Sequence, residues 1–131
     1  MNQVLGRKCA SLIGILLCLS LLLSGCMEDL FTTDTYRQCK SFREEFARGR
    51  QEFTKEKVYA KLGRPDGYVT EAEGYASALR VEKERLMEQD VNRWVYEGYE
   101  RPDPANPFRL IVTFDAAGKC IDVQLHMVAG G

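Results

Sequence analysis

The stretch RLIVTFDAAGKCIDVQLHM, Arg109 to Met127, decides the fold of this 131-residue chain. Its two halves are rich in aromatic and β-branched residues and alternate in side-chain character, which is typical of half-buried strands. The link from Asp115 to Gly118 predicts a hairpin turn, and glycine suits a positive φ there. A third segment has the same character. The sequence therefore predicts three antiparallel strands: Trp94 to Tyr99, Arg109 to Phe114 and Lys119 to Met127.

Before the strands, the apolar residues follow the period of a helix. From Asp34 they recur every three or four positions. Asp34 can cap the start of this helix, and Gly49 stands where a C-terminal cap is expected. The residues of the apolar face are Tyr36, Cys39, Phe42 and Phe46.

A second helix is predicted in FTKEKVYAKLGRP, Phe53 to Pro65. Thr54 is a good N-cap, and Phe53 and Val58 form a hydrophobic staple across it. Gly63 can end the helix, and Pro65 prevents its continuation. These signals predict a helix from Lys55 to Leu62.

The segment from Gly67 to Asp90 has an apolar stripe at helical spacing that Lys83 interrupts. We interpret it as a solvent-exposed amphipathic helix. The predicted fold class is α+β, with two or three N-terminal helices packed on one face of a three-stranded antiparallel meander. Residues 34–131 are predicted to form this single domain.

The N-terminal segment has the pattern of a targeting signal. Arg7 and Lys8 precede an uncharged apolar run that ends in Leu23-Ser24-Gly25-Cys26. These four residues resemble the lipobox of bacterial lipoproteins, in which the cysteine is acylated and the chain is cut before it. The resemblance implies a signal peptide at residues 1–25, lipidation of Cys26 and a lipidated tether at residues 26–33. An ordinary signal and an uncleaved anchor are the alternatives.

The mature chain would keep 106 residues, which suffices for one domain. Losing Arg7 and Lys8 leaves 16 basic against 19 acidic residues, and their mixed order predicts no nucleic-acid partner. Of the five cysteines, Cys39 and Cys120 remain after the lipobox. They form either a disulfide, as an oxidising compartment favours, or two separate buried thiols.

The order helix, Leu62-Gly63-Arg64-Pro65, Trp94-Val95-Tyr96, Leu110 to Asp115 and Gly118-Lys119 resembles the SmpA/OmlA family, whose members are called BamE. These small lipoproteins belong to the β-barrel assembly machinery of the outer membrane. The segment from Gly67 to Asn92 is longer than the family's usual link. The same architecture also resembles the repeat unit of β-lactamase inhibitory proteins, which serves as a binding surface.

Few residues suggest chemistry. Trp94 is expected in the core, and Tyr96 and Tyr99 fall on opposite faces of the sheet. The exposed one of these tyrosines, together with Phe108, is the predicted partner surface. His126 has no metal ligand beside it at the usual spacing, so we expect no metal and no cofactor. No nucleophile has a base and an orienting acid nearby, so no catalytic residue and no enzyme are predicted.

The resemblance implies a membrane-anchored, non-catalytic scaffold or accessory factor in outer-membrane protein assembly and envelope integrity. Its partners would be the bilayer, through acylated Cys26, and barrel-assembly subunits or another envelope protein. Met27 after the lipidated cysteine favours the periplasmic face of the outer membrane. The alternative function is a periplasmic enzyme inhibitor or ligand-binding lipoprotein that uses the same fold. The sequence leaves the partner and the role of the Gly67 to Asn92 insertion open.

Overall fold

A computed structural model describes residues 32–101 and 105–128. One compact unit begins at Thr33. The predicted signal peptide, Cys26 and most of the tether lie outside the described residues. Three helices are described, α1 (Asp34–Arg48), α2 (Lys55–Leu62) and the short α3 (Lys83–Leu86). The strands are β1 (Gly67–Thr70), β2 (Gly74–Ser77), β3 (Val91–Tyr99), β4 (Pro107–Phe114) and β5 (Cys120–Met127).

The described strands form one antiparallel sheet in the order β2-β1-β3-β4-β5. Trp94 lies opposite Val112, which lies opposite Val123, so these three side chains share one face of the sheet. Tyr68 of β1 pairs with Trp94 and extends the same row. The fold class α+β is confirmed, and the predicted meander is present as β3, β4 and β5.

The helices cover this face of the sheet. The ring of Tyr36 in α1 meets Phe108 of β4 edge-on, with 5.2 Å between centroids. The ring of Tyr59 in α2 meets Trp94 in the same way, and the Trp94 indole donates a hydrogen bond to the Leu86 carbonyl in α3. Trp94 is fully buried, as predicted. The hydrophobic core therefore lies between the helices and one face of the sheet.

Most of the predicted helix signals are confirmed. Helix α2 has the predicted bounds, and the Thr54 side chain accepts a hydrogen bond from the Lys57 backbone as its N-cap. Gly49 ends α1 in the left-handed conformation. The expected cap at Asp34 is wrong: Thr33 caps α1, and Asp34 lies in its first turn, where the helix dipole favours an anion.

The buried Lys55 connects α2 to the segment between α3 and β3. Its ammonium group donates hydrogen bonds to the Glu88 and Val91 carbonyls, at 2.8 and 2.7 Å. It also lies over the Phe114 ring, 5.6 Å from the centroid. Burial lowers the pKa of this lysine.

The helix predicted from Gly67 to Asp90 is wrong. This segment contains the hairpin of β1 and β2, followed by α3, and β1 pairs with β3. The sheet therefore has five strands among the described residues, where three were predicted. The turn between β1 and β2 places Gly74 at a φ of 73°, and the Thr70 side chain accepts a hydrogen bond from the Glu73 backbone.

Across residues 32–101 and 105–128, no helix is both long and apolar enough to cross a membrane.

Candidate functional site

The structure separates the residues of the predicted partner surface. Tyr96 is buried, and its hydroxyl donates a hydrogen bond to the Gly63 carbonyl at 2.9 Å. Burial raises the pKa of Tyr96. Phe108 is also buried, so its assignment to an exposed partner surface is wrong. Tyr99 is on the opposite face from Tyr96 and is 53% exposed, as the alternation of the strand predicts.

Phe108 is buried because a glycine makes room for its ring. Gly98 lies opposite it on β3, and a Cβ atom at Gly98 would stand only 2.9 Å from the ring. Tyr36 of α1 covers the ring from the helix layer. Phe108 therefore shares the covered face of the sheet with Leu110 and Val112.

Cys39 and Cys120 are two free, buried thiols in the structure, which is the alternative without a bridge. Burial raises the pKa of the Cys39 thiol from 9.0 to about 12, and Asp66 adds to this shift. Burial likewise raises the pKa of Cys120 from 9.0 to about 11. Both thiols are therefore protonated and poorly nucleophilic at neutral pH.

The sheet face opposite the helices carries a groove of about 430 Å³. Its apolar lining comes from four different strands, with Val69 on β1, Tyr75 on β2, Val95 on β3 and Ile111 on β4. Val95 lies opposite Ile111 and is only 5% exposed, although it faces away from the core. The apolar part of this face is therefore contiguous rather than scattered.

Tyr75 closes one side of the groove by lying across Gly67. The ring is so close that a Cβ atom at Gly67 would stand 2.3 Å from it. Gly67 pairs with both Ser77 and Val95, so the ring reaches from the edge strand toward the middle of the sheet. Tyr75 nevertheless remains 56% exposed. Burial and the nearby Glu97 raise the pKa of its hydroxyl.

Charged side chains flank the apolar groove. Glu97 and Arg109 face each other across β3 and β4 and form an ion pair at 3.2 Å. Arg93 also lines the groove, and on β3 it lies on the other side of Val95 from Glu97. None of the ion pairs formed between described residues includes Arg93. The groove therefore offers an apolar floor with one cationic group open to a carboxylate.

The prediction from sequence did not include these residues of the groove. Val69 and Tyr75 lie in the segment that was interpreted as a helix, so they were not predicted to be part of the sheet. A strand signal was present there, because Tyr68-Val69-Thr70 is aromatic and β-branched and Gly67 and Gly74 bracket it. Val95 and Ile111 lie in predicted strands, but only the pairing of β1 with β3 brings all four together.

The described residues contain no group of three or more histidine, cysteine or acidic side chains that could hold a metal ion. His126 is exposed on β5, and its Nε2 lies 3.0 Å from the side-chain oxygen of Gln124. The chemistry that the groove supports is binding through apolar contact and charge.

No protein-family model matches this chain, and neither the curated proteins nor the solved structures contain a significant match to it.

Proposed function

We propose that this chain is a lipid-anchored, non-catalytic binding module of the cell envelope. The lipobox resemblance at Leu23 to Cys26 supports the anchor. The groove on the uncovered face of the sheet carries the proposal of binding, because contiguous apolar surface rimmed by charge is typical of interaction sites. The resemblance to SmpA/OmlA lipoproteins suggests the role: an accessory factor in outer-membrane protein assembly, at the periplasmic face of that membrane.

The occupant of the groove would be a segment of an envelope protein that places an apolar side chain on Val95 and Ile111. A neighbouring carboxylate would pair with Arg93. Arg109 is less available to such a partner because Glu97 already pairs with it. An apolar anchor beside one charge pair is how protein interfaces combine affinity with orientation.

The hairpin of β1 and β2 has a role in this proposal. It supplies Val69 and Tyr75, half of the apolar lining of the groove. The same hairpin is the added segment by which the chain departs from the usual SmpA/OmlA pattern. We infer that the insertion builds a binding surface that differs from that of family members with a shorter link.

Capture of partners from membranes tests this function. Tagged, full-length protein is purified from gently solubilised membranes, and co-eluting proteins are identified by mass spectrometry. We expect barrel-assembly subunits to elute with the wild type and to be lost with Ile111→Glu, which places a charge on the groove floor. Ile121→Glu is the matched control, because Ile121 is 54% exposed and lies outside the groove. Cys26→Ala tests the anchor.

Two results would contradict the proposal. Equal recovery of the subunits with Ile111→Glu would remove the groove as the contact. A single periplasmic hydrolase in place of the subunits, sensitive to the same substitution, would favour the inhibitor function over assembly.

A further inference from the structure

We infer that the end of the sheet formed by Tyr99, Pro107, Met127 and Val128 contacts the lipid surface to which the chain is anchored. We call these four residues the membrane-facing end. The inference rests on the proposed lipidation of Cys26. It concerns the orientation of the domain and a second surface, distinct from the groove.

Exposed apolar side chains are concentrated at this end. Tyr99 is 53% exposed, Met127 42% and Val128 40%. They are three of the six large hydrophobic residues that are exposed among the described ones. Exposed apolar side chains at one end of a folded domain are a feature of surfaces that contact a partner or a membrane.

Strand pairing brings these residues together from three strands. Tyr99 at the end of β3 lies opposite Pro107 at the start of β4. Met127 at the end of β5 lies opposite Phe108, and the Val128 backbone donates a hydrogen bond to the Pro107 carbonyl at 2.9 Å. The three exposed side chains therefore lie at one end of the sheet, with Tyr99 on the uncovered face and Met127 on the face that it shares with Phe108.

The chain enters the domain at the same end. The Thr33 backbone donates a hydrogen bond to the Glu100 carbonyl at 2.9 Å, and the Thr33 hydroxyl donates one to the Tyr99 carbonyl. Only seven residue steps separate Thr33 from Cys26, so a fully extended tether spans at most about 25 Å. An acylated Cys26 at the bilayer surface would thus hold Thr33, which is hydrogen-bonded to the Tyr99 carbonyl, within about 25 Å of the anchor.

The chemistry of the membrane-facing end suits the boundary between headgroups and acyl chains. Tyrosine places an apolar ring in that layer and keeps its hydroxyl hydrated. Methionine and valine supply apolar contact without charge. Ile121 is near the opposite end of β5. It lies six residues from Met127, roughly 20 Å along the strand, and is farther than Met127 from the tether.

A fluorescent probe tests this orientation. Full-length, lipidated Met127→Cys protein is labelled with an environment-sensitive dye on the thiol and reconstituted into phosphatidylethanolamine and phosphatidylglycerol vesicles. The buried Cys39 and Cys120 thiols have raised pKa values and react slowly in the folded protein. Ile121→Cys is the matched control, because it lies on the same strand with similar exposure. Vesicle flotation of each protein comes first.

We expect severalfold higher, blue-shifted emission from the probe at position 127 than at position 121, and quenching of the former by brominated acyl chains. Water-like emission at both positions in floating protein would overturn the orientation and leave the anchor intact. A chain that fails to float would overturn both. A change at position 127 that needs added envelope proteins would identify a protein interface and overturn the lipid contact.

Discussion

We expect two buried thiols to make the domain less stable as the pH rises above about 9. Cys39 and Cys120 have pKa values raised by burial to about 12 and about 11, against an ordinary 9.0. Below about pH 9 both the folded and the unfolded chain keep these protons, so they add no pH dependence. Between pH 9 and 11 only the unfolded chain loses them. The free energy of unfolding should then fall by about 1.4 kcal/mol per pH unit for each thiol, at full ionisation of the unfolded chain.

Urea unfolding of residues 27–131 between pH 7 and 10, under a reductant, measures this slope. Cys39→Ala and Cys120→Ala should each remove one thiol's contribution to the fall in the free energy of unfolding above pH 9. Lys55 acts in the opposite direction, since burial lowers its pKa, so the comparison uses the difference between each variant and the parent. Parallel profiles for parent and variants would show that the thiols ionise equally in both states.

At the scale of single residues, strand alternation gave correct faces where it was applied consistently. It places Tyr96 and Tyr99 on opposite faces, as the structure has them. Phe108 was assigned to the surface, although its side chain is on the same face of the sheet as that of Leu110, two residues further along β4. The alternation of side chains along β4 would have placed Phe108 on the buried face. Gly98 supplies the space, and that cross-strand fit is not visible in sequence.

The end of α2 depends on a backbone conformation that suits glycine alone. Gly63 has φ 78° and ψ −161°, a region essentially closed to other residues, where a side chain costs about 1 to 3 kcal/mol. Its carbonyl also accepts the hydrogen bond from the buried Tyr96 hydroxyl. We expect Gly63→Asn to lower the free energy of unfolding by that amount.

Gly49 provides the control for this prediction. It ends α1 at φ 64° and ψ 19°, which is the left-handed conformation that asparagine also adopts. Gly49→Asn should therefore cost less than about 1 kcal/mol, given that a compatible residue loses little there. Urea unfolding of both variants gives the comparison. Equal losses would mean that the two helix ends tolerate side chains alike.

At the scale of elements, local signals predicted α1, α2 and the meander, and they failed between Gly67 and Asp90. Alanine, tyrosine and leucine at helical spacing there are compatible with an exposed helix. Pairing of β1 with β3 overrides that local preference, because it buries Tyr68 beside Trp94 in the core. The pairing joins residues more than twenty positions apart, which a local periodicity does not report.

At the scale of the whole molecule, the groove is a product of strand order. Its four apolar residues come from strands that are adjacent only in the order β2-β1-β3-β4. A three-stranded sheet would hold Val95 and Ile111 but neither Val69 nor Tyr75. The sequence therefore predicted a sheet with one uncovered face, while the shape of the candidate site followed from the two strands that were missed.

Trp94 makes the cooperativity of the whole domain measurable. It is the only tryptophan in the chain, and it contacts Leu86 of α3, Tyr59 of α2 and Phe114 of β4 at the centre of the core. Since one core joins the described helices to the sheet, we expect two-state unfolding of residues 27–131. Tryptophan fluorescence and far-ultraviolet circular dichroism should give coincident urea transitions. A dichroism transition that precedes the fluorescence change would instead show that part of the domain, such as the β1 and β2 hairpin, unfolds separately.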